Sequence, residues 1–165
     1  MNSPEISVLA AILLCLGGAV ATLLCARWRR VAGLLNLAVT LMSAVLVGVA
    51  VVHVLTHGPG SGATFMPFPK LGFALRLYVD GLSAVFLALA ALIAVPAALY
   101  SVTYMDHYAE YGVGRYYPHF LVFLSAMYGL VSTTDMMWFF FIFWQLMTLP
   151  GYALIRFEHR RRENV

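Results

Sequence analysis

The side chains best placed to do chemistry form a line along one apolar stretch near the end of the chain. Gln145, Thr148, Tyr152 and Arg156 recur every three or four residues, so they share one face if the stretch is helical. Polar groups at membrane depth often mark a path for protons or ions. Polar groups also hydrogen-bond to neighbouring helices and hold a bundle together. The spacing leaves both interpretations open, because an amide such as Gln145 does not titrate.

The stretch that carries this line is predicted to be a membrane-spanning helix over residues 136–155. Its roughly 20 mostly apolar residues match, as a helix, a hydrocarbon core of about 30 Å. The sequence Thr-Thr-Asp at residues 133–135 is suited to capping its first turn. Pro150 has no N–H to bond the carbonyl four residues earlier, so we expect the helical ladder to open next to Gln145.

A second polar line precedes this helix. Ser125 and Ser132, with Tyr128 between them, recur at helical spacing within a predicted span over residues 119–132. If this span lies beside the next one, their two polar lines would face each other. The sequence therefore predicts a hydrated seam between the two helices as a candidate proton path.

Asp80 stands at the start of another predicted span, residues 80–101. A carboxylate at this position is suited to cap the helix, and it also lies where it would guard an ion exit at the outer rim. We favour the cap. Farther along, the loop over residues 104–118 is rich in tyrosine, as is typical of a membrane interface, and it carries Asp106, His107 and Glu110, which are an alternative set of groups for collecting protons.

Composition places the whole chain in a membrane. Hydrophobic residues make up 62% of it and charged residues 10%, and the mean hydropathy is +0.87. We expect an all-α, polytopic protein with one membrane domain over residues 1–165. Its five predicted spans cover residues 6–26, 31–55, 80–101, 119–132 and 136–155. The outer loop between the second and third spans is rich in Gly and Pro, and it is predicted to contain a short strand over residues 73–79.

Charge predicts the orientation. Eight arginines fall in segments assigned to the inside, whereas Lys70 and Arg76 fall outside, which places the N-terminus outside and the C-terminus inside. The inside set is Arg27, Arg29, Arg30, Arg115, Arg156, Arg160, Arg161 and Arg162. Because topology explains the net charge of +3, we expect the lipid bilayer as the partner and no nucleic acid.

The sequence lacks the motifs of a self-sufficient enzyme. It has no Gly-rich phosphate loop, no His/Cys cluster at ligand spacing and no nucleophile with a base near it in sequence. Cys15 and Cys25 lie too far apart along one helix to bridge, so both are interpreted as packing residues. We therefore expect no cofactor and no metal bound by this chain.

Two stretches resemble a known family. Residues 78–83, Tyr-Val-Asp-Gly-Leu-Ser with Gly81 at their centre, are similar to the family's entrance into its third helix. Residues 140–152, which include Trp144 and Pro150, are similar to its fifth helix. The family comprises the antiporter-like, proton-conducting membrane subunits of respiratory complex I, of energy-converting hydrogenases such as hydrogenase 4 and formate hydrogenlyase, and of Mrp sodium/proton antiporters.

The resemblance implies that this chain is roughly the N-terminal third of such a subunit. In the family, a glutamate on the fifth helix pairs with lysines on later helices to move protons. Gln145 stands where that glutamate is expected, and the later helices are not present in the sequence.

The resemblance further implies a membrane subunit of a redox-driven translocase of protons or sodium, of the complex I or hydrogenase type, in a bacterial or archaeal cytoplasmic membrane. Iron–sulfur clusters, NiFe or flavin are then expected in partner subunits, which include other antiporter-like subunits and a peripheral redox arm. Two alternatives stay open: a non-pumping scaffold subunit that fills the antiporter position, and a part of an Mrp-type sodium/proton antiporter.

Overall fold

Helices dominate the part of the chain that the computed structural model describes, namely residues 3–70, 72–105, 114 and 116–156. In chain order the elements are α1 (Pro4–Leu24), α2 (Arg29–His57), β1 (Ala63–Phe68), β2 (Phe73–Leu77), α3 (Gly81–Tyr104), α4 (Tyr117–Ser132), a π-helical segment (Trp138–Phe143) and α5 (Trp144–Ile155). The prediction of a mainly helical, polytopic membrane protein is confirmed. The predicted loop residues Asp106, His107 and Glu110 and the basic residues Arg160, Arg161 and Arg162 lie outside the described residues.

Within the described residues, four helical stretches are long and apolar enough to cross a membrane. They are α1, α2, α3, and the π-helical segment together with α5. The remaining helix, α4, is apolar but has only 16 residues, which is about 24 Å at the usual rise per residue. The observed bounds differ from the predicted spans by two or three residues at most ends. Continuous apolar runs therefore predicted where each helix lies, including α4, whose predicted span over residues 119–132 is likewise short for a full crossing.

Hydrogen bonds at the two ends of the bundle show that successive helices reverse direction. At one end, the Arg29 guanidinium donates to the carbonyl of Met105, which joins the start of α2 to the end of α3 at 2.9 Å. At the other end, the Glu5 carboxylate accepts from the N–H of Gly62 at 2.9 Å, which joins the start of α1 to the segment that follows α2. The helix α2 is therefore packed antiparallel to both α1 and α3.

A two-stranded antiparallel hairpin of β1 and β2 lies in the loop between α2 and α3. The prediction of a strand near residues 73–79 is confirmed by β2, but β1 was not predicted. Pro67 in β1 lies opposite Ala74, and a strand at the edge of a sheet tolerates a residue without an N–H. The Tyr78 N–H donates to the carbonyl of Ser132 at 2.8 Å, so the hairpin is tied to the end of α4.

The centre of the bundle is a three-helix contact among α1, α2 and α4. A Cβ atom added to Gly18 would lie 2.7 Å from a Val39 methyl group and 3.2 Å from a Leu121 methyl group. Close approach of this kind is typical of helices packed in membranes. Their association depends on van der Waals contact, and small residues allow the backbones to come close. This contact positions the polar residues described below.

Candidate ion-path residues

The last helix has one packed face and one open face. Pro150 is buried on the packed face, and a Cβ on the adjacent Gly151 would contact the ring of Phe123 in α4 at 3.5 Å. Just before α5, the buried ring of Phe143 packs on Gly129 of α4. Gln145 is exposed on the other face. The contact with α4 therefore fixes the direction in which Gln145 points.

All four residues of the predicted polar line lie on this open face. Thr148 is exposed and its hydroxyl donates to the carbonyl of Trp144, while Tyr152 is exposed and accepts a hydrogen bond from the Arg156 guanidinium at 2.7 Å. The Arg156 guanidinium carbon also lies 5.4 Å from the centre of the Tyr152 ring, within the range of a cation–π contact. Gln145, Thr148, Tyr152 and Arg156 thus make one polar strip, called here the Gln145 strip.

The backbone on both sides of Gln145 departs from a regular α-helix. Residues Trp138–Phe143 form a π-helix, and α5 begins directly after it. On the other side, five residues after Gln145, Pro150 lies inside α5 and has no N–H to donate to the carbonyl of Leu146. Pi-helical turns within α-helices are frequent at functional sites. Trp144, half-exposed at the junction, lies 5.9 Å from the ring of Phe140. The proline break was anticipated from sequence, whereas the π-helix was not.

The polar line of α4 lies elsewhere. Ser125 and Ser132 are both buried, and their hydroxyl groups donate to carbonyls of their own helix, those of Val122 at 2.7 Å and Tyr128 at 2.6 Å. Since the Gln145 strip is exposed and these serines are enclosed by the bundle, the structure does not bring the two lines together. The hydrated seam expected between them is not present in the described part of the chain.

The polar residues that the structure does bring together were largely missed. Asn36, Thr40 and Ser43 of α2 are each fully buried, at 0% exposure. The Ser43 hydroxyl lies near both the Cys15 thiol of α1 and the Tyr128 hydroxyl of α4. The spacing of four and then three residues along α2 was the available signal, but Thr and Ser are so common in membrane helices that it did not stand out.

Two carboxylates hold helix starts at the hairpin end of the bundle. Asp80 precedes Gly81, the first residue of α3, and its carboxylate accepts from the backbone N–H of Ser83 at 2.8 Å, which lowers the pKa of Asp80. Asp135 accepts from the N–H of Ala74 in β2 at 3.0 Å and from that of Met137 at 2.9 Å. The bond from Ala74 is the main reason why the pKa of Asp135 is lowered. Asp80 therefore has a structural role as an N-cap, and Asp135 joins the hairpin to the last helix.

Among the described residues, no group of three or more His, Cys, Asp or Glu side chains is arranged to hold a metal ion. The arrangement instead offers amide, hydroxyl, phenol and guanidinium groups along an open helix face. Such groups can exchange hydrogen bonds with water, with ions or with the polar groups of other helices.

Comparison with known proteins bears on the class of the protein. Residues 65–117 match the family model described as the N-terminus of chain 5 of NADH-ubiquinone oxidoreductase, complex I. The matched range runs from β1 through α3 to the first residue of α4. It includes the stretch around Gly81 and ends before α5, so it carries no information about Gln145.

Curated relatives are similar over a larger share of the chain. A protein named Na(+)/H(+) antiporter subunit A1 from Staphylococcus haemolyticus is 31% identical over 97 residues, which are 59% of this chain and 12% of that protein. Its namesake from Staphylococcus aureus strain Newman is 31% identical over 109 residues, which are 64% of this chain and 13% of that protein. The matched part thus spans about an eighth of the relatives' length. Both comparisons confirm the resemblance to antiporter-like membrane subunits.

Proposed function

We propose that this chain is part of an antiporter-like membrane subunit that moves protons or sodium ions, and that the Gln145 strip lines one side of its path. The observation that carries the proposal is the asymmetry of α5. One face packs on α4 through Phe143, Pro150 and Gly151, whereas the opposite face presents a row of polar groups with no partner helix among the described residues.

A polar strip of this kind is costly against lipid. Polar side chains within a membrane face protein or water, since hydrocarbon offers them no hydrogen bonds. Gln145 and Thr148 are therefore expected to face further helices or a hydrated space in the assembled subunit. Gln145 can orient water or an ion there through its amide, but a titratable group must come from another helix, because an amide carries no proton between states.

The energy source separates two versions of this function. In the first, the subunit belongs to a redox-driven complex, with iron–sulfur clusters, NiFe or flavin in partner subunits of a peripheral arm; the family description that names complex I supports it. In the second, the subunit exchanges sodium for protons without redox chemistry, and the similarity to the two antiporter subunits named above favours it. Both versions place the chain among other membrane subunits of a larger complex, in a bacterial or archaeal cytoplasmic membrane.

A scaffold subunit is the second candidate. It rests on Gln145 itself, because the amide removes the charge pair that the antiporter-like family uses at this position. A scaffold would use the Gln145 strip to bind a neighbouring helix through hydrogen bonds, as polar groups in membranes do. The same face therefore serves both candidates, and transport measurements are needed to separate them.

Substitution of Gln145 in the complete complex is the test. We would measure ion transport in inverted membrane vesicles with Gln145→Glu, Gln145→Leu and, as a control on the same exposed face, Leu149→Met. If the strip lines the path, Gln145→Leu lowers transport about tenfold or more while the complex stays assembled, and Gln145→Glu changes its pH dependence. Leu149→Met leaves transport unchanged.

The outcomes distinguish the candidates. Normal transport with assembled complexes in both Gln145 variants would contradict a path at this strip. Loss of assembly in Gln145→Leu, with normal transport in the assembled Gln145→Glu complex, would support the scaffold. Running the same vesicles first on an electron donor and then on an imposed sodium gradient identifies the energy source.

A further inference from the structure

The buried side of α2 carries a row of polar residues that the proposed function does not use. Asn36, Thr40 and Ser43, called here the α2 polar row, recur at intervals of four and three residues and have 0% exposure. They lie within the helix bundle, on the side away from the Gln145 strip. Such a row in the middle of a membrane helix needs an explanation of its own.

Neighbours on both sides of the row show what encloses it. A Cβ on Gly33 would lie 2.8 Å from the Tyr117 hydroxyl of α4, and Val39 contacts Gly18 of α1. Ser43, farther along, lies near Tyr128 of α4. Along α2, Asn36 lies between the contacts at Gly33 and Val39, and Thr40 lies between the contacts at Val39 and Ser43. The row therefore points into the space shared by α1, α2 and α4.

Several polar atoms in this space have no hydrogen-bond partner among the described residues. They are both amide atoms of Asn36 and the hydroxyl oxygen of Thr40, and the Tyr128 hydroxyl also has no partner that meets hydrogen-bond geometry, although the Ser43 hydroxyl lies close to it. Ser43 is different, because its hydroxyl donates to the carbonyl of Thr40 at 2.9 Å. Leaving a buried polar group unpaired costs about 1–3 kcal/mol, so a cluster of unpaired groups is expected to bind something that satisfies them.

The chemistry of the row identifies what binds. Asn36 offers a donor and an acceptor side by side, while Thr40 and Tyr128 can each do either. A cation would leave the Asn36 N–H groups unpaired, and an anion would leave its carbonyl oxygen unpaired. Because the α2 polar row is fully buried within this chain, a side chain of a partner subunit does not reach it. A small neutral molecule that both donates and accepts satisfies all of these groups, and water is that molecule.

We infer that α1, α2 and α4 enclose an internal water site, in which water molecules bridge Asn36, Thr40 and Tyr128. The site lies inside the helix bundle, is built from other helices than the one that carries the Gln145 strip, and does not depend on the proposed function. It lies between the level of Asn36 and that of Tyr128 along the bundle. The bundle thus has a hydrated interior in addition to the open face of α5.

Radical footprinting of the complete protein in lipid nanodiscs tests this inference. Hydroxyl radicals generated from water by an X-ray pulse label side chains that lie next to water, so bound water should cause labelling of Tyr128 despite its burial. We expect Thr40→Val and Asn36→Leu each to lower the labelling rate of Tyr128 by about threefold or more, because each removes groups that hold the water. Thr40→Ser, which keeps the hydroxyl, should label like the parent protein.

Phe143 is the internal control, since it is buried in an apolar contact and its labelling should not change among the variants. Thermal stability gives a second reading that does not require activity. If water bridges the row, Thr40→Val lowers the melting temperature. If the row is dry, the same variant removes an unpaired hydroxyl and raises it. Equal labelling of Tyr128 in all variants, together with a raised melting temperature for Thr40→Val, would overturn the inference.

Discussion

Asp80 makes the helix-capping hydrogen bond that the sequence favoured. Its carboxylate accepts from the Ser83 N–H, as an N-cap does, and no further role is needed to explain its position. We expect Asp80→Ala to destabilise the protein by about 1 kcal/mol, and Asp80→Asn, which caps equally well, to be nearly neutral. Thermal unfolding of the three proteins in one detergent checks this. A loss of transport in a normally stable Asp80→Asn variant would contradict a purely structural role.

The same residue gives a pH dependence with a definite sign. Because folding lowers the pKa of Asp80, its contribution to stability is present above the ordinary aspartate pKa of about 3.9 and is lost as the pH falls through the lowered value. The melting temperature of the parent protein should therefore fall relative to that of Asp80→Asn as the pH drops below about 4. Parallel melting curves over the acid range would contradict this expectation.

Asp135 connects two elements, so we expect its removal to weaken hydrogen bonding in both. It bonds the N–H of Ala74 in the hairpin and the N–H of Met137 at the start of the last helix. We expect Asp135→Ala to speed amide hydrogen exchange at Ala74 by about tenfold, because the amide loses its acceptor. Exchange at Thr64, whose strand pairing does not involve Asp135, is the control. Unchanged protection of Ala74 would show that strand pairing alone holds it.

At the scale of elements, the contact between α4 and the π-helical segment decides where the Gln145 strip points. A Cβ on Gly129 would overlap the ring of Phe143, so Gly129→Ala must displace that ring. We expect a loss of about 1–3 kcal/mol for Gly129→Ala, from overpacking. Gly48→Ala in α2, where a Cβ meets nothing within 4 Å, is the matched control and should be neutral or slightly stabilising. Equal melting temperatures would contradict this packing.

Helix positions were readable from the sequence, but helix faces were not. Apolar runs predicted α1, α2, α3 and α5 to within a few residues, since length and hydropathy follow from the thickness of a bilayer. Periodicity placed Ser125 and Ser132 on one face of α4 and Gln145 on one face of α5. Periodicity does not show which neighbouring helix each face packs against. The contacts at Gly129 and Gly18 orient α4 and α5 so that their polar faces point in different directions.

Local backbone chemistry accounts for the other differences. The strand β1 was missed because Pro67 and the glycines before it are typical of loops, and its pairing depends on a partner strand rather than on its own residues. The π-helix was missed because its aromatic run is equally compatible with an α-helix. The buried α2 polar row was missed because Thr and Ser are common in membrane helices, so their helical spacing with Asn36 did not stand out.

For the whole molecule, the similarity to antiporter-like membrane subunits and the geometry of α5 point to the same account. The bundle of α1 to α4 forms a support, and the last helix presents a polar strip away from it. The fold and the broad class were thus available from sequence, whereas the internal water site and the separation of the two polar lines required the structure.

Accessibility of position 145 to water tests the central claim most directly. In the complete complex, with Cys15 and Cys25 replaced by alanine, Gln145→Cys should react with a charged, water-soluble thiol reagent about tenfold or more faster than Met147→Cys. Met147 is partly buried and by helical spacing shares a face with Phe143 and Gly151, which pack on α4. Fast labelling at 145 that slows when transported ions are added is the result we expect. Equally slow labelling at both positions, in an assembled and transporting complex, would contradict an ion path along the Gln145 strip.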